Sequence, residues 1–246
     1  MLSHYLKLTP FKQMKISLRL NKIATMVHSR YDHIWDCCCD HGLLGAKLLD
    51  KNSADTVHFV DVVPDLMQQV SAKLERFYPA VNDGGKRWQV HCIDVALLPL
   101  AEKEQIQLVI IAGVGGELLI ELVQAILAKH PQHTLEFILC PVHHIFEVRK
   151  ALATLKLGLI AEQLIEENQR FYEVLHVSTQ SQRVVTLVGD EMWDLTRRID
   201  QRYLQKTLAH YQRIQAGLLK KLHQDEVLNS EMAQIIKSYQ ALRSQN

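Results

Sequence analysis

The sequence predicts an α/β fold: a doubly wound, mostly parallel sheet followed by a helical appendage. Three observations carry that expectation. From His33 to Val142, short β-branched runs alternate with longer amphipathic stretches, the pattern of repeated βαβ units. Residues 158 to 189 then carry apolar runs suited to a closing antiparallel hairpin. From Glu191 onward the composition changes, with Gly217 the only glycine and no proline. At 246 residues and 48% apolar content the chain has enough material for one full α/β core.

Each element has its own signal. The strands read as His33 to Cys39, Thr56 to Val62, Trp88 to Asp94, Leu108 to Val114 and Glu136 to Val142, all apolar enough to be buried on both faces. Between them, residues 43 to 51, 64 to 78 and 115 to 130 place apolar side chains at three- and four-residue spacing, as does 142 to 157 after the fifth strand. The runs 159 to 165, 171 to 178 and 183 to 189 supply the hairpin region. Parallel βα repeats closed by hairpin strands mark the methyltransferase type of nucleotide-binding sheet. Leu195, Ile199, Leu204, Leu208, Tyr211, Leu218 and Leu222 form a helical stripe, and the turn expected within residues 222 to 232 makes the appendage a two-helix unit.

Composition narrows the function classes. Apolar runs such as Leu108 to Val114 fall far short of the roughly 20 residues of a membrane span. The first 20 residues interrupt their apolar positions with Lys, Pro and Gln, unlike a secretory signal, and a cytoplasmic location is expected. Five cysteines, three of them consecutive at Cys37, Cys38 and Cys39, make no disulfide framework. Adjacent strand residues point to opposite faces, so the cluster is expected to hold no metal. The chain carries 28 basic and 27 acidic residues, yet no acid precedes Asp32, while Lys7, Lys12, Lys15, Arg19, Lys22 and Arg30 are all basic. That segment is a candidate phosphate-contacting surface, with a solvated helix face as the alternative.

Ligands of open parallel sheets sit beyond the C-terminal ends of the strands. Here those ends are acidic: Asp36, followed by Asp40-His41-Gly42, then Asp61, then Asp94. Asp61 lies about 20 residues beyond the first turn, the spacing of an acid that accepts from ribose hydroxyls. Asp94 is in position to meet an adenine amino group. A dinucleotide needs Gly-x-Gly-x-x-Gly for its pyrophosphate, and only Gly42 and Gly45 occur in this turn. Asp40 would repel a pyrophosphate and attract the ammonium and sulfonium of S-adenosylmethionine, which is therefore the expected cofactor. After the fourth strand, Ala112-Gly113-Val114-Gly115-Gly116 is either a close approach of backbone to the reacting centre or a tight strand-to-helix turn.

In this order the motifs resemble the tRNA adenine N1-methyltransferases that modify position 22 of the D-loop. The resemblance runs through Ile16-Ser17-Leu18-Arg19-Leu20 with Ile23-Ala24, Asp36 with Asp40-His41, Asp61, Asp94, and Ile111 to Gly116. Glu166-Glu167 and Phe171-Tyr172-Glu173 resemble the family's Glu-Glu and Tyr-Glu pairs, and the C-terminal helices its coiled-coil appendage. It implies a class I methyltransferase domain over residues 1–189 and a two-helix appendage over 190–246. Met14-Lys15 matches where family members begin, so 1–13 reads as an extension or a misassigned start. Three positions depart from the family. Cys38 replaces a glycine of the cofactor loop, Ile93-Asp94-Val95 replaces Gly-Asp-Gly, and Cys140-Pro141-Val142 replaces Gln-Pro-Asn.

On this reading Asp36, Cys38, Asp40, Asp61, Val62, Asp94, Val95, Gly113 and Gly115 bind S-adenosylmethionine. Asp40, His41, Gly113 and Val114 form the transfer site, and Ser17, Arg19 and Pro141 contact substrate. The partner is tRNA, gripped through its phosphates by the basic N-terminal segment and by the C-terminal helices, where Arg197, Arg198, Arg202 and Lys206 cluster. A dimerising or solvated helix pair is the alternative for the appendage, and the protein is expected to be a monomer or weak homodimer. The departures keep two other readings open: an enzyme acting on another RNA site or a small molecule, and a non-catalytic RNA-binding relative.

Overall fold

The structure is a computed structural model that describes residues 15–80, 85–220 and 226–244. Lys7, Lys12, the extension at 1–13 and Leu222 lie outside the described residues. By its contacts the chain divides into two compact units, Met1–Val185 and Thr186–Asn246.

The first unit runs α1 (Leu18–Met26), β1 (Tyr31–Cys37), α2 (Leu43–Asp50), β2 (Ala54–Asp61), α3 (Pro64–Phe77), β3 (Trp88–Cys92), β4 (Gln107–Ala112), α4 (Gly116–Lys129), β5 (Leu135–Cys140), α5 (Ile145–Thr154), β6 (Gly158–Glu167) and β7 (Arg170–Ser178). The seven strands form one sheet in the order β3-β2-β1-β4-β5-β7-β6. The first five pair in parallel, and β7 enters antiparallel between β5 and β6. A two-residue turn joins β6 to β7, with Asn168 and Gln169 both at positive φ, the twist a tight hairpin requires. The expected third apolar run, 183 to 189, is no strand: Val184 makes a single bridge to Gly158.

Side chains alternate across the sheet, so each strand feeds two cores. Ile34, Phe59, Ile110 and Ile138 pack beneath α1, α2 and α3. Trp35, Val60, Ile111 and Leu139 pack beneath α4 and α5. Between β3 and β4 the chain makes only a short 3-10 turn, Val95–Leu97. On the α4 side, His33, His58 and His91 cross three neighbouring strands as a ladder, their ring nitrogens 2.9 Å apart at each step. Trp35 stacks on His58 at 3.7 Å and donates its indole N–H to Gln107 Oε1. Burial and the flanking imidazoles push His58 down to about 3, so it stays neutral at ordinary pH.

A buried ion cluster fastens the antiparallel hairpin to α5. The Arg149 guanidinium donates to Glu162 and Glu173, each at 2.7 Å, and all three residues are buried. One cation between two carboxylates on adjacent strands fixes the register of the hairpin against the helix.

The second unit contains α6 (Arg198–Lys220) and α7 (Glu226–Ala241). Tyr203, Leu204, Leu208 and Tyr211 of α6 are buried, as are Met232, Ile235, Ile236 and Tyr239 of α7, and the Tyr211 and Tyr239 rings stack. Asp200 in the first turn of α6 is fully buried and held by Arg197 at 2.7 and 2.9 Å.

Candidate active site at the strand tips

Five parallel strands end on one edge, and the turns that leave them carry the acidic and glycine-rich motifs. Asp36 is the penultimate residue of β1 and is only 3% exposed. Its Oδ2 accepts the backbone N–H of Gly45 at 2.8 Å, in the first turn of α2. A Cβ on Gly45 would lie 2.4 Å from the Phe59 ring and 3.0 Å from that carboxylate oxygen, so only glycine lets the helix come this close. Burial pushes the Asp36 carboxyl up to about 7; the Gly45 N–H opposes the shift and the charge of Asp61 adds to it. A carboxyl group so costly to ionise, sitting at a strand tip, marks a candidate functional site.

The turn after β1 takes its shape from left-handed backbone at Cys38 (φ 55°), Asp40 (φ 49°) and Gly42 (φ 72°). Cys38, which replaces the family's glycine, thus adopts the conformation that glycine adopts most easily, and the turn keeps its form at a steric cost of about 1–2 kcal/mol. The turn is tied down by Cys39 N–H to Val60 O at 3.1 Å and by Asp40 N–H to Asp61 Oδ2 at 3.2 Å. Asp61 Oδ1 accepts from Val63 N–H at 3.2 Å, so this carboxylate joins the β1 turn to the start of α3. Asp94 caps the 3-10 turn through Ala96 N–H at 2.9 Å. Burial, then the charges of Asp61, Asp36 and Asp94 together, push the Cys38 thiol up to about 11. The three strand-tip acids converge on this turn.

Arg19 completes the wall. Ser17 caps α1 by accepting Leu20 N–H at 3.2 Å, and Glu167 of β6 accepts Leu18 N–H at 2.5 Å, which sets the helix end over the strand tips. The Arg19 guanidinium lies 4.8 Å from the Tyr172 ring centroid, and a Cβ on Gly113 would meet it at 3.5 Å. Its Nε–H is buried without a hydrogen-bond partner among the described residues. Arg19, Asp36, Cys38, Asp40, His41 and Gly113 all line one cavity of about 180 Å³. A larger cavity of about 440 Å³, between Leu49, Phe77 and Trp88, lies away from these tips and holds none of the acids.

The tips of β4 and β5 are zipped together beyond the sheet: Gly113 N–H donates to Cys140 O at 3.1 Å and Val142 N–H to Val114 O at 2.9 Å. Gly113 is at φ 88°. The Val95 side chain is buried in the core, Ser17 is engaged as a helix cap, and Pro141 is buried. Pro141 therefore offers no contact face, and the exposed surface at that tip belongs to Val142, His143 and His144. Val62 is exposed beside Asp61. His41 and Asp40 are both solvent-accessible, with Nε2 and Oδ1 3.6 Å apart. The sequence does not single out His143, because a His-His pair before a helix carries no spacing signal.

A family model for a methyltransferase domain matches residues 16–175, which contain every strand tip just described. The chain belongs to the methyltransferase domain family. The same methyltransferase chain is 26% identical over 178 residues to a Mycoplasma pneumoniae protein provisionally described as a tRNA methyltransferase, covering 71% of this chain and 76% of that one. In fold it is similar to the B. subtilis m1A22 tRNA methyltransferase TrmK, with a TM-score of 0.69 and 18% identity over 93% of this chain and 99% of the other. It is similarly close to M. capricolum TrmK in complex with S-adenosyl-homocysteine, with a TM-score of 0.69 and 16% identity over 93% and 98%. The likeness thus includes the C-terminal helices, and the fold is that of a class I methyltransferase with a helical appendage.

Proposed function

We propose that this methyltransferase transfers a methyl group from S-adenosylmethionine to N1 of an adenine in tRNA, at position 22 of the D-loop. The observation that carries the reading is the buried Asp36 carboxyl group beside Asp40 and Asp61, in a turn that lacks the glycines a pyrophosphate needs and would repel one by its charge. Its likeness to tRNA methyltransferases over nearly the whole chain supports the substrate class. The residues present fit the cofactor's functional groups. Asp36 and Asp40 suit its ammonium, the unpartnered Arg19 Nε–H suits its carboxylate, Asp61 suits the ribose hydroxyls and Asp94 the adenine amine. This places Arg19 at the cofactor end of the cleft, and leaves phosphate contacts to the remaining basic residues of the N-terminal segment and to α6.

When bound, S-adenosylmethionine supplies an electrophilic methyl group on a sulfonium. N1 of adenine is a lone-pair nucleophile with no proton to lose, so the protein's main task is to hold the acceptor in line. The zipped turns at Gly113 and Val114 form the wall on which that alignment depends. Methylation leaves the base cationic; on this reading the exposed Asp40 carboxylate with His41, 3.6 Å apart, stabilises it and takes the N6 proton. Among the described residues no helix is long and apolar enough to cross a membrane. A tRNA substrate and free cysteines are in keeping with a cytoplasmic protein, acting as a monomer or weak homodimer.

Two measurements test this. Calorimetric titration with S-adenosylhomocysteine is expected to give one site per chain, lost in Asp61→Ala. Incubation with S-adenosylmethionine and unmodified tRNA is expected to yield 1-methyladenosine by nucleoside mass spectrometry. Cofactor binding without any methylated tRNA nucleoside would redirect the search to another acceptor; no binding at all would remove the enzyme reading.

A further inference from the structure

We propose that His143 is the acceptor-facing side chain of this site, the surface against which the target base stacks. This rests on the tRNA adenine reading above and names a residue that reading does not need. The argument starts from Gly115. A Cβ there would lie 2.6 Å from His143 Cε1 and 2.9 Å from its Nε2, so the imidazole occupies the space where a side chain would stand and lies directly on the glycine turn after β4. Gly116 is equally closed, with His143 O at 2.8 Å from its would-be Cβ. The histidine is thereby seated on the same backbone that shapes the transfer site.

Its seat is rigid while its ring is accessible. Val142 N–H to Val114 O, at 2.9 Å, locks the residue before it to the glycine turn. The next residue, His144, is held in a left-handed conformation (φ 60°) as the N-cap of α5, and its Nδ1 lies 3.5 Å from Glu117. His143 is exposed even so; the His144 ring meets it edge to face with centroids 4.4 Å apart, and the preceding Val142 is exposed as well. An exposed imidazole seated on the glycine turn beside a methyl-transfer site is a stacking platform for an unpaired base. Single-stranded RNA bases are recognised in this way, each stack contributing about 1–3 kcal/mol. Pro141 and Cys140 are buried and His144 is turned to Glu117, so among the described residues of this tip His143 is the polar side chain placed to meet the acceptor.

The test compares His143→Ala, His143→Phe and Gly115→Ala with wild type, using full-length protein, unmodified tRNA and S-adenosylhomocysteine. His143→Ala is expected to raise KM for tRNA by roughly 5- to 150-fold, the range of one base stack removed. His143→Phe restores stacking without hydrogen bonding, and is expected to recover most of that loss. Gly115→Ala keeps the imidazole but displaces it, since the clash falls on the end of an exposed side chain, and is expected to resemble His143→Ala. Affinity for S-adenosylhomocysteine should stay at the wild-type value in both His143 variants, which separates acceptor contact from a collapsed site. Unchanged KM and kcat in His143→Ala would overturn the inference while leaving the tRNA reading intact. If wild type makes no methyladenosine in tRNA, that reading fails first and the inference falls with it.

Discussion

Asp36 shows how a single residue can be kept at the expense of stability. Because burial raises its carboxyl, the folded state prefers the neutral form. Below the ordinary carboxylate range the group is neutral whether the chain is folded or not, and it costs nothing. As pH rises toward about 7 the unfolded chain ionises first, and the stability lost is complete above that value. Asp36→Asn, which keeps an oxygen for Gly45 N–H, is therefore expected to match wild type near pH 4 and to exceed it at pH 8. The gain should approach about 4 kcal/mol at pH 8, or roughly 10 °C in Tm, measured by thermal unfolding in the absence of ligand. The same variant should lose S-adenosylhomocysteine binding. In wild type, bringing an ammonium to Asp36 favours the ionised form, so binding between pH 6 and 7 should release a proton, visible as a calorimetric heat that depends on the buffer. A stability gain with cofactor affinity intact would mean that Asp36 is not the cation-binding group.

At the scale of elements, the Arg149 cluster tests what holds the hairpin. Arg149→Met removes the cation and strands two carboxylates in the core, with an expected loss of about 3–5 kcal/mol in urea unfolding. Combining it with Glu162→Gln and Glu173→Gln should recover part of that loss, since the uncompensated charges are then gone. A single variant as stable as wild type would show that the cluster is incidental to the fold. This cluster was not legible in the sequence: a basic residue in an amphipathic helix reads as surface, and nothing in its spacing says that two acids on distant strands will meet it. The parallel strands were legible, but each read too far at its C-terminal end. Cys38-Cys39, Ile93-Asp94, Gly113-Val114 and Pro141-Val142 lie beyond the ladders of their strands. The cause is physical. These tip residues still pack on the core, as Cys38 and Val114 do, so apolar character continues after the sheet hydrogen bonds have stopped. The acids of the site were legible because charges at the ends of apolar runs stand out, whereas the seating of His143 on Gly115 depends on the meeting of two turns far apart in sequence.

For the whole molecule, the question is how the charged appendage contributes to tRNA affinity. If α6 binds phosphates, Arg198→Glu with Lys206→Glu should weaken tRNA binding severalfold at about 0.1 M salt. The slope of log affinity against log salt should fall by about 1 for each phosphate that no longer meets a cation. S-adenosylhomocysteine binding should not change, because the strand-tip acids all lie in the first unit. An unaltered salt slope would assign phosphate binding to the basic residues around α1.

The histidine ladder imposes a rule of its own. A neutral imidazole has one nitrogen that donates and one that accepts, and His58 uses both, toward His33 on one side and His91 on the other. If His58 donates from Nε2, it must do so to His33 Nδ1 and must receive a proton from His91 Nε2; if it donates from Nδ1, every bond reverses. With all three rings neutral they are therefore either all Nε2–H tautomers or all Nδ1–H tautomers, and no ring can change alone. Three separate side chains behave as one two-state dipole laid across the strands, whose sense is set by whatever meets the outer nitrogens of His33 and His91.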